Sequence, residues 1–321
     1  MDKLLDSEFL IRPYHIGMIK FWATTKIDIR AIIALLFVVI CWGLLPVATR
    51  YLLAYLDPLR LLVYRFSLAS LLFVPILLRV RHQHWPLRDL IRAGACGLAS
   101  IVGYNVTVTY GIRWLPAGIA GMIIATEPIW IALFSIVVFR ERPRPTVLIG
   151  WCVAAVGVLV LLRWSTTLST TFEDEAWAGA GLTLLAAMMW AGYTLGVRSL
   201  SRRYGALTCT SMTTIFGVLP LLLWSSVQPP FAGVIELPPV GWVAFLLLAV
   251  GSTIFANILW NYGVARMPGT QAGLFLFLIP FTSVLGGSIF LHELITPVTI
   301  VSGLLILSGV GIAQLNVLSS S

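Results

Sequence analysis

Charge is scarce in this sequence. Asp, Glu, Lys and Arg make up 11% of its 321 residues and hydrophobic residues 59%, whereas a soluble globular domain is about a quarter charged. So much apolar surface must face something other than water. Histidine and cysteine are scarce as well. His15, His82, His84 and His292 lie at or outside the ends of apolar runs at no metal-ligand spacing, and Cys41, Cys96, Cys152 and Cys209 include no CxxC pair. The pattern offers neither a zinc site nor a disulfide framework. An HExxH helix, a Walker A loop and a cluster of acids with histidine are all missing. The chain therefore reads as no enzyme, with no cofactor and no ATPase of its own. Rings of charge repeated along the apolar runs are missing too, which argues against a channel.

The apolar runs themselves are long. Crossing a hydrocarbon core of about 30 Å takes roughly 20 residues at ~1.5 Å each. Ten such spans are expected, near 31–52, 57–78, 92–113, 116–138, 145–163, 176–198, 205–226, 239–264, 268–291 and 296–316. Short connections leave no room for a soluble domain, and the lipid bilayer is the partner that covers the apolar faces. The formal net charge of +8 does not indicate nucleic acid, because the basic residues sit in short clusters between spans. With the N-terminus inside, the cytoplasmic segments hold Lys3, Arg12, Lys20, Lys26, Arg30, Arg79, Arg81, Arg88, Arg92, Arg140, Arg142, Arg144, Arg198, Arg202, Arg203 and Arg266. Only Arg50, Arg60, Arg113 and Arg163 fall outside. This is the positive-inside bias, and an even number of spans returns the C-terminus to the cytoplasm. Residues 1–30 carry acids, five basic residues and no small-residue cleavage site, so they are expected to form a cytoplasmic segment rather than a cleaved signal.

Sliding the chain against itself by 152 residues uncovers an internal repeat. Tyr110-Gly111 meets Tyr262-Gly263, Asn105 meets Asn257, and Pro116 meets Pro268. Pro128 meets Pro280, Glu141 meets Glu293, and Gly157 meets Gly309. At an offset of 148, Trp42 meets Trp190 and Arg50 meets Arg198. Chance alignments between apolar segments match Leu, Val and Ile; these match Pro, Gly, Tyr, Asn and Glu. The chain divides into a first repeat at 31–163, an extracytoplasmic linker at 164–175 and a second repeat at 176–317. Five spans per repeat is an odd number, so the second copy lies upside down relative to the first. The expected fold is an all-α integral membrane protein of ten transmembrane helices, built as two inverted five-helix repeats around a central cavity. Such pairs leave a midplane cavity that rocking exposes to alternate sides.

Ionisable residues inside a bilayer are functional candidates because they are costly to place there. Helix rise of ~1.5 Å per residue puts Arg65 about 12 Å and Glu127 about 16 Å down from the same face. Two readings of this pair stand side by side. In one, the charges neutralise each other and Arg65 partly snorkels outward. In the other, Glu127 faces water and binds a substrate amine or a proton, its helix loosened by Pro128, which removes a backbone donor. Most tryptophans, Trp85 and Trp260 among them, lie near span ends and fit an interfacial belt. Trp42, Trp130 and Trp190 do not, and the repeat mates Trp42 and Trp190 both reach mid-depth. Tyr104, Asn105 and Asn257 fall at comparable depth, where interhelical hydrogen bonding and cavity lining compete as explanations. The candidate substrate-binding set is therefore Trp42, Tyr104, Asn105, Glu127, Trp190 and Asn257. Glu141 and Glu293 read as caps or gating residues at opposite faces. Glycines in spans 5 and 10 read as close-packing positions, with a monomer expected over a dimer.

Trp42-Gly43 followed by Pro46, Arg65-Phe66, Glu127-Pro128 ending in Arg140-Glu141, and the matching run from Pro280 to Glu293 give the chain a family likeness. Over roughly residues 31–316 it resembles the EamA-type transporters of the drug/metabolite transporter superfamily. Its aromatic central positions are most similar to the bacterial aromatic amino acid exporters of the YddG type. The resemblance implies a secondary transporter of the bacterial inner membrane that exports small molecules, amino acids in particular, by alternating access. Exporters of other metabolites or drugs share the scaffold, and a membrane enzyme is the remaining alternative.

Overall fold

The computed structural model describes residues 29–80, 85–139, 145–164, 173–225, 234–266, 275–276 and 278–319. Expectations that rest on residues 1–28, on Glu141 and on most of the linker lie outside these residues. Among the described residues every regular element is helical. That follows from an apolar environment, in which a backbone must satisfy its hydrogen bonds within one segment.

Among the described residues, six helical rods are long and apolar enough to cross a membrane: Ile29–Leu52, Pro58–Arg79, Leu87–Trp114, Asp174–Tyr204, Ala206–Ser225 and Pro239–Gly263. Four shorter apolar helices, Ala117–Ile131, Leu148–Leu161, Ile279–Leu291 and Pro297–Gly309, fall where spans 4, 5, 9 and 10 were expected. The first rod is α1 (Ile29–Gly43) and α2 (Leu45–Leu52), broken at Leu44. Pro46 causes the break, because it has no N–H to offer the carbonyl of Trp42 four residues back. The second rod is α3 (Pro58–Val80). The third joins α4 (Leu87–Gly97), a π-helical segment π1 (Leu98–Val106) and α5 (Thr107–Trp114). Next come α6 (Ala117–Ile124) and α7 (Glu127–Phe139), separated by a turn at Ala125 and Thr126. Pro128 opens that turn, and the Thr126 hydroxyl donates to the Ile123 carbonyl at 2.7 Å. The first family of helices ends with α8 (Pro145–Trp164).

The second half runs through α9 (Glu173–Tyr204), α10 (Ala206–Ser225), α11 (Pro239–Leu246), a second π segment π2 (Leu247–Phe255) and α12 (Ala256–Arg266). It closes with α13 (Ile279–Leu291) and α14 (Pro297–Ser319). The helix α9 has 32 residues, about 48 Å at ~1.5 Å per residue, and overshoots the expected span 176–198. Its extra turns carry Arg202, Arg203 and Tyr204. There Asp89 accepts hydrogen bonds from Arg203 at 2.8 Å and Tyr204 at 2.6 Å, and Trp85 stacks on Tyr204 with ring centroids 3.7 Å apart.

The packing pairs corresponding elements of the two halves. Helices α8 and α14 lie against each other, as do α3 and α10, and α6 and α13. Gly157 and Gly309 pack closely at this contact as expected, whereas Gly311 has open space around it and Gly303 meets only Met122. A Cβ on Gly309 would come within 2.5 Å of both the Ala154 nitrogen and the Gly150 oxygen, so only glycine allows that approach. Large apolar side chains such as Leu71, Leu223, Val243 and Phe290 point outward and are exposed, as surfaces turned toward lipid tails would be.

Candidate functional site

The residues singled out by depth converge. A cavity between the two halves is lined by Trp42, Leu45, Arg65, Tyr104, Asn105, Ile124, Glu127, Trp190, Ser252, Asn257 and Ile279. All six candidate residues are among them, and Arg65 joins them. Three repeat-related pairs meet here: Trp42 with Trp190, Asn105 with Asn257, and Glu127 with Ile279. The centres of water molecules have about 30 Å³ available inside, room for a few waters at ~10–15 Å³ each and too little for an amino acid.

Each helix interruption delivers one wall. The break after Gly43 turns Trp42 inward, where its indole nitrogen donates to the Ser252 carbonyl at 3.2 Å. The turn before Glu127 presents its carboxyl beside Ile124. Asn105 lies near the end of π1 and Asn257 just past the end of π2, in the first turn of α12, and π bulges are frequent at functional sites. Their wider turn leaves carbonyls for side chains to satisfy. Asn105 donates to the carbonyl of Ser100, five residues back, at 2.7 Å. Asn257 makes the equivalent bond to Ser252 at 3.1 Å and another to Thr253 at 3.0 Å.

The rings form a continuous aromatic wall. Trp42 and Trp190 stand edge to face with centroids 5.3 Å apart, and Trp190 also meets Tyr104 at 5.2 Å and Tyr193 at 4.9 Å. Trp260 corrects its sequence assignment. It is buried and packs on Trp42 at 5.4 Å rather than joining an interfacial belt. Its position three residues after Asn257 was the available signal, since i and i+3 share a helix face. Trp130, by contrast, is not among the lining residues.

The expected charge pair is not formed. Arg65 does not snorkel: it is 4% exposed, and its Nε donates to the Thr253 hydroxyl at 2.6 Å and its Nη1 to Asn105 Oδ1 at 3.2 Å. It thereby bridges π1 and π2. Glu127, also 4% exposed, lines the cavity together with Tyr104. Among the described residues no ion pair joins Arg65 to Glu127. The physical reason is that polar partners on both π segments hold the guanidinium through its Nε and Nη1. Two buried polar atoms in the cavity wall, Glu127 Oε1 and Trp190 Nε1, have no hydrogen-bond partner among the described residues. A buried unpaired polar group costs about 1–3 kcal/mol, so one acceptor and one donor stand ready for something that enters.

Comparison with known proteins fits this architecture. The profile of the EamA-like transporter family matches residues 29–163 and again residues 177–314. The chain belongs to the EamA-like transporter family. It is a multi-pass membrane transporter, and the matched units fall on the two halves that share the cavity. An uncharacterized transporter of Archaeoglobus fulgidus is 29% identical over 87% of this chain and 96% of its own length. A probable amino-acid metabolite efflux pump of Salmonella typhimurium is 25% identical, covering 85% of this chain and 91% of that one. A probable terminal-alkyne amino-acid exporter of Streptantibioticus cattleyicolor is 28% identical, covering 70% and 72%. A solved crystal structure superposes on 89% of this chain and 96% of its own with a TM-score of 0.63 at 21% identity, a likeness of fold.

Proposed function

We propose that this protein is a secondary transporter that exports amino acids, aromatic and other neutral ones, across the bacterial inner membrane by alternating access. The observation that carries the reading is the pairing of two unpartnered polar atoms, Glu127 Oε1 and Trp190 Nε1, inside one aromatic-walled cavity. A zwitterion matches the site's charges. Glu127 takes the ammonium. Arg65, whose Nε and Nη1 are engaged by Thr253 and Asn105, has further guanidinium N–H groups to offer the carboxylate. Trp42, Trp190 and Tyr104 stack against the side chain, while Asn105 and Asn257 hold the cavity in shape. The descriptions of the Salmonella and Streptantibioticus relatives as amino-acid exporters support the same substrate class.

In this reading the ten spans form two inverted repeats, 31–163 and 176–317, with both termini in the cytoplasm and the monomer as the working unit. The odd number of spans per repeat and the distribution of Lys and Arg support it. A cavity with about 30 Å³ for water centres must widen to admit cargo, which rocking of one repeat on the other accomplishes. Reconstitution into liposomes preloaded with a panel of amino acids, with and without a proton gradient, tests the proposal. Accelerated counterflow of tryptophan, phenylalanine or neutral aliphatic amino acids is expected. Flux of other metabolites or drugs with no amino acid carried would overturn it.

A further inference from the structure

Away from the cavity, the turn joining α5 to α6 is held from both sides by side chains distant in sequence. Glu293, just past the end of α13, accepts hydrogen bonds from the Ala117 nitrogen at 2.7 Å and the Gly118 nitrogen at 3.0 Å. These are the first N–H groups of α6, which lack partners within their own helix. Arg50, in the last turn of α2, donates through Nη1 to the Ile112 carbonyl at 2.9 Å and to the Leu115 carbonyl, where α5 ends. Arg50 Nε and Glu293 Oε1 lie 3.8 Å apart. An anion thus sits on a helix N-terminus and a cation on a helix C-terminus, the arrangement helix dipoles favour at each end.

The contact is built for this carboxylate. His292 adopts the left-handed conformation, φ 57°, and the Glu293 nitrogen donates to the Gly287 carbonyl at 3.1 Å, which turns the side chain back over the helix end. A Cβ on Gly287 would lie 2.5 Å from Glu293 Oε2, so glycine there keeps the space open. Glu293 belongs to the second matched unit, whereas Arg50, Leu115, Ala117 and Gly118 belong to the first. The contact is accordingly a tie between the halves, at the end of the molecule where α2, α5, α6 and α13 meet. Both charged side chains keep some access to solvent, 37% and 17% exposed. They can therefore part into water, unlike Arg65 and Glu127.

We infer that Arg50, Glu293 and the α5–α6 turn form a latch that closes the cavity at this end and must release before that side opens. The inference rests on the alternating-access reading, and the positive-inside count makes the latched side the extracytoplasmic one. The test uses the full chain in liposomes of determined orientation, with native cysteines replaced and Leu45→Cys as a reporter in the cavity wall. A membrane-impermeant maleimide is applied from each side in turn. Glu293→Ala and, separately, Arg50→Gln, which leaves the Glu293 cap in place, should each speed labelling from the latched side tenfold or more. Labelling from the other side should slow. A Gly118→Cys, Glu293→Cys pair should block labelling from the latched side when oxidised and match Glu293→Ala when reduced. Unchanged labelling in both single variants overturns the latch while alternating access stands. Failure of both to fold, read by thermal melting, also overturns it, because a releasable contact is dispensable for folding. Equal labelling from both sides with the latch intact overturns alternating access itself.

Discussion

Replacing Glu127 by Gln distinguishes a carboxylate that binds cargo from one that only balances a charge. Glu127 is buried beside Tyr104 in the cavity wall, and no ion pair among the described residues joins it to Arg65. Gln keeps the shape and a polar group beside Tyr104, and it strands no cation. The stability loss should therefore stay near that of one ordinary hydrogen bond, about 1 kcal/mol. Breaking a buried ion pair would instead cost roughly 3–5 kcal/mol. Transport should respond much more strongly. A hydrogen bond to a charged group is worth about 1.5–3 kcal/mol, and each ~1.4 kcal/mol is tenfold, so apparent affinity for a zwitterion should fall roughly 10- to 100-fold. Thermal melting in detergent reads the first quantity and concentration-dependent liposome uptake the second. Adding Arg65→Gln should not restore uptake. A fully active Glu127→Gln would refute the binding role, and so would a loss of several kcal/mol that Arg65→Gln reverses.

Trp42→Ala should lower uptake of aromatic substrates several-fold more than of alanine while the protein still folds, since an aromatic pair contributes about 0.5–1.5 kcal/mol and Trp42 is only half-buried. Trp190 is buried among Trp42, Tyr104 and Tyr193, so Trp190→Ala should cost about 3–5 kcal/mol of stability, measured as a lowered melting temperature; a melting curve like the parent's would refute that placement. For topology, the exposed positions Tyr55 and Leu87 flank α3 on opposite sides. An impermeant thiol reagent added outside should label Tyr55→Cys and spare Leu87→Cys, and labelling of both would overturn the span between them.

Much of the cavity was legible because polar and aromatic residues at mid-membrane depth stand out against an apolar background. Helix rise alone put Trp42, Trp190, Tyr104, Asn105 and Asn257 at similar depth, and all five line the cavity. Depth carries no azimuth, however, and that is where the reading fell short. Arg65 and Glu127 share a depth but not a bond, because Thr253 and Asn105 reach the guanidinium first. The π segments were illegible as well. Nothing in LASIVGYNV or LLAVGSTIF departs from helical pattern, and the asparagine bonds to carbonyls five residues back that accompany the wider turns are visible only in the fold. Glu293 was readable as a cap, yet its partner lay 176 residues away on another helix, a pairing that no local spacing encodes.

The scaffold is close to symmetric while its charges are not. The repeat mates Trp42 and Trp190 both line the cavity, as do Asn105 and Asn257, but Glu127 has Ile279 as its repeat mate there. Electrostatics explains why the acid appears once. Repeat mates converge closely near the interface; the rings of Trp42 and Trp190 are 5.3 Å apart. Two carboxylates at about that separation would repel by roughly 3 kcal/mol at an effective dielectric near 20, on top of the cost of burying a second charge. Isoleucine at 279 avoids both costs and supplies apolar wall. The single carboxylate has a further consequence. A cavity with identical halves would accept an elongated zwitterion in two equivalent orientations, whereas a single acid and a single guanidinium would admit one. On the proposed reading, duplication supplies the frame that moves, and the unduplicated pair Arg65 and Glu127 gives the bound molecule its direction.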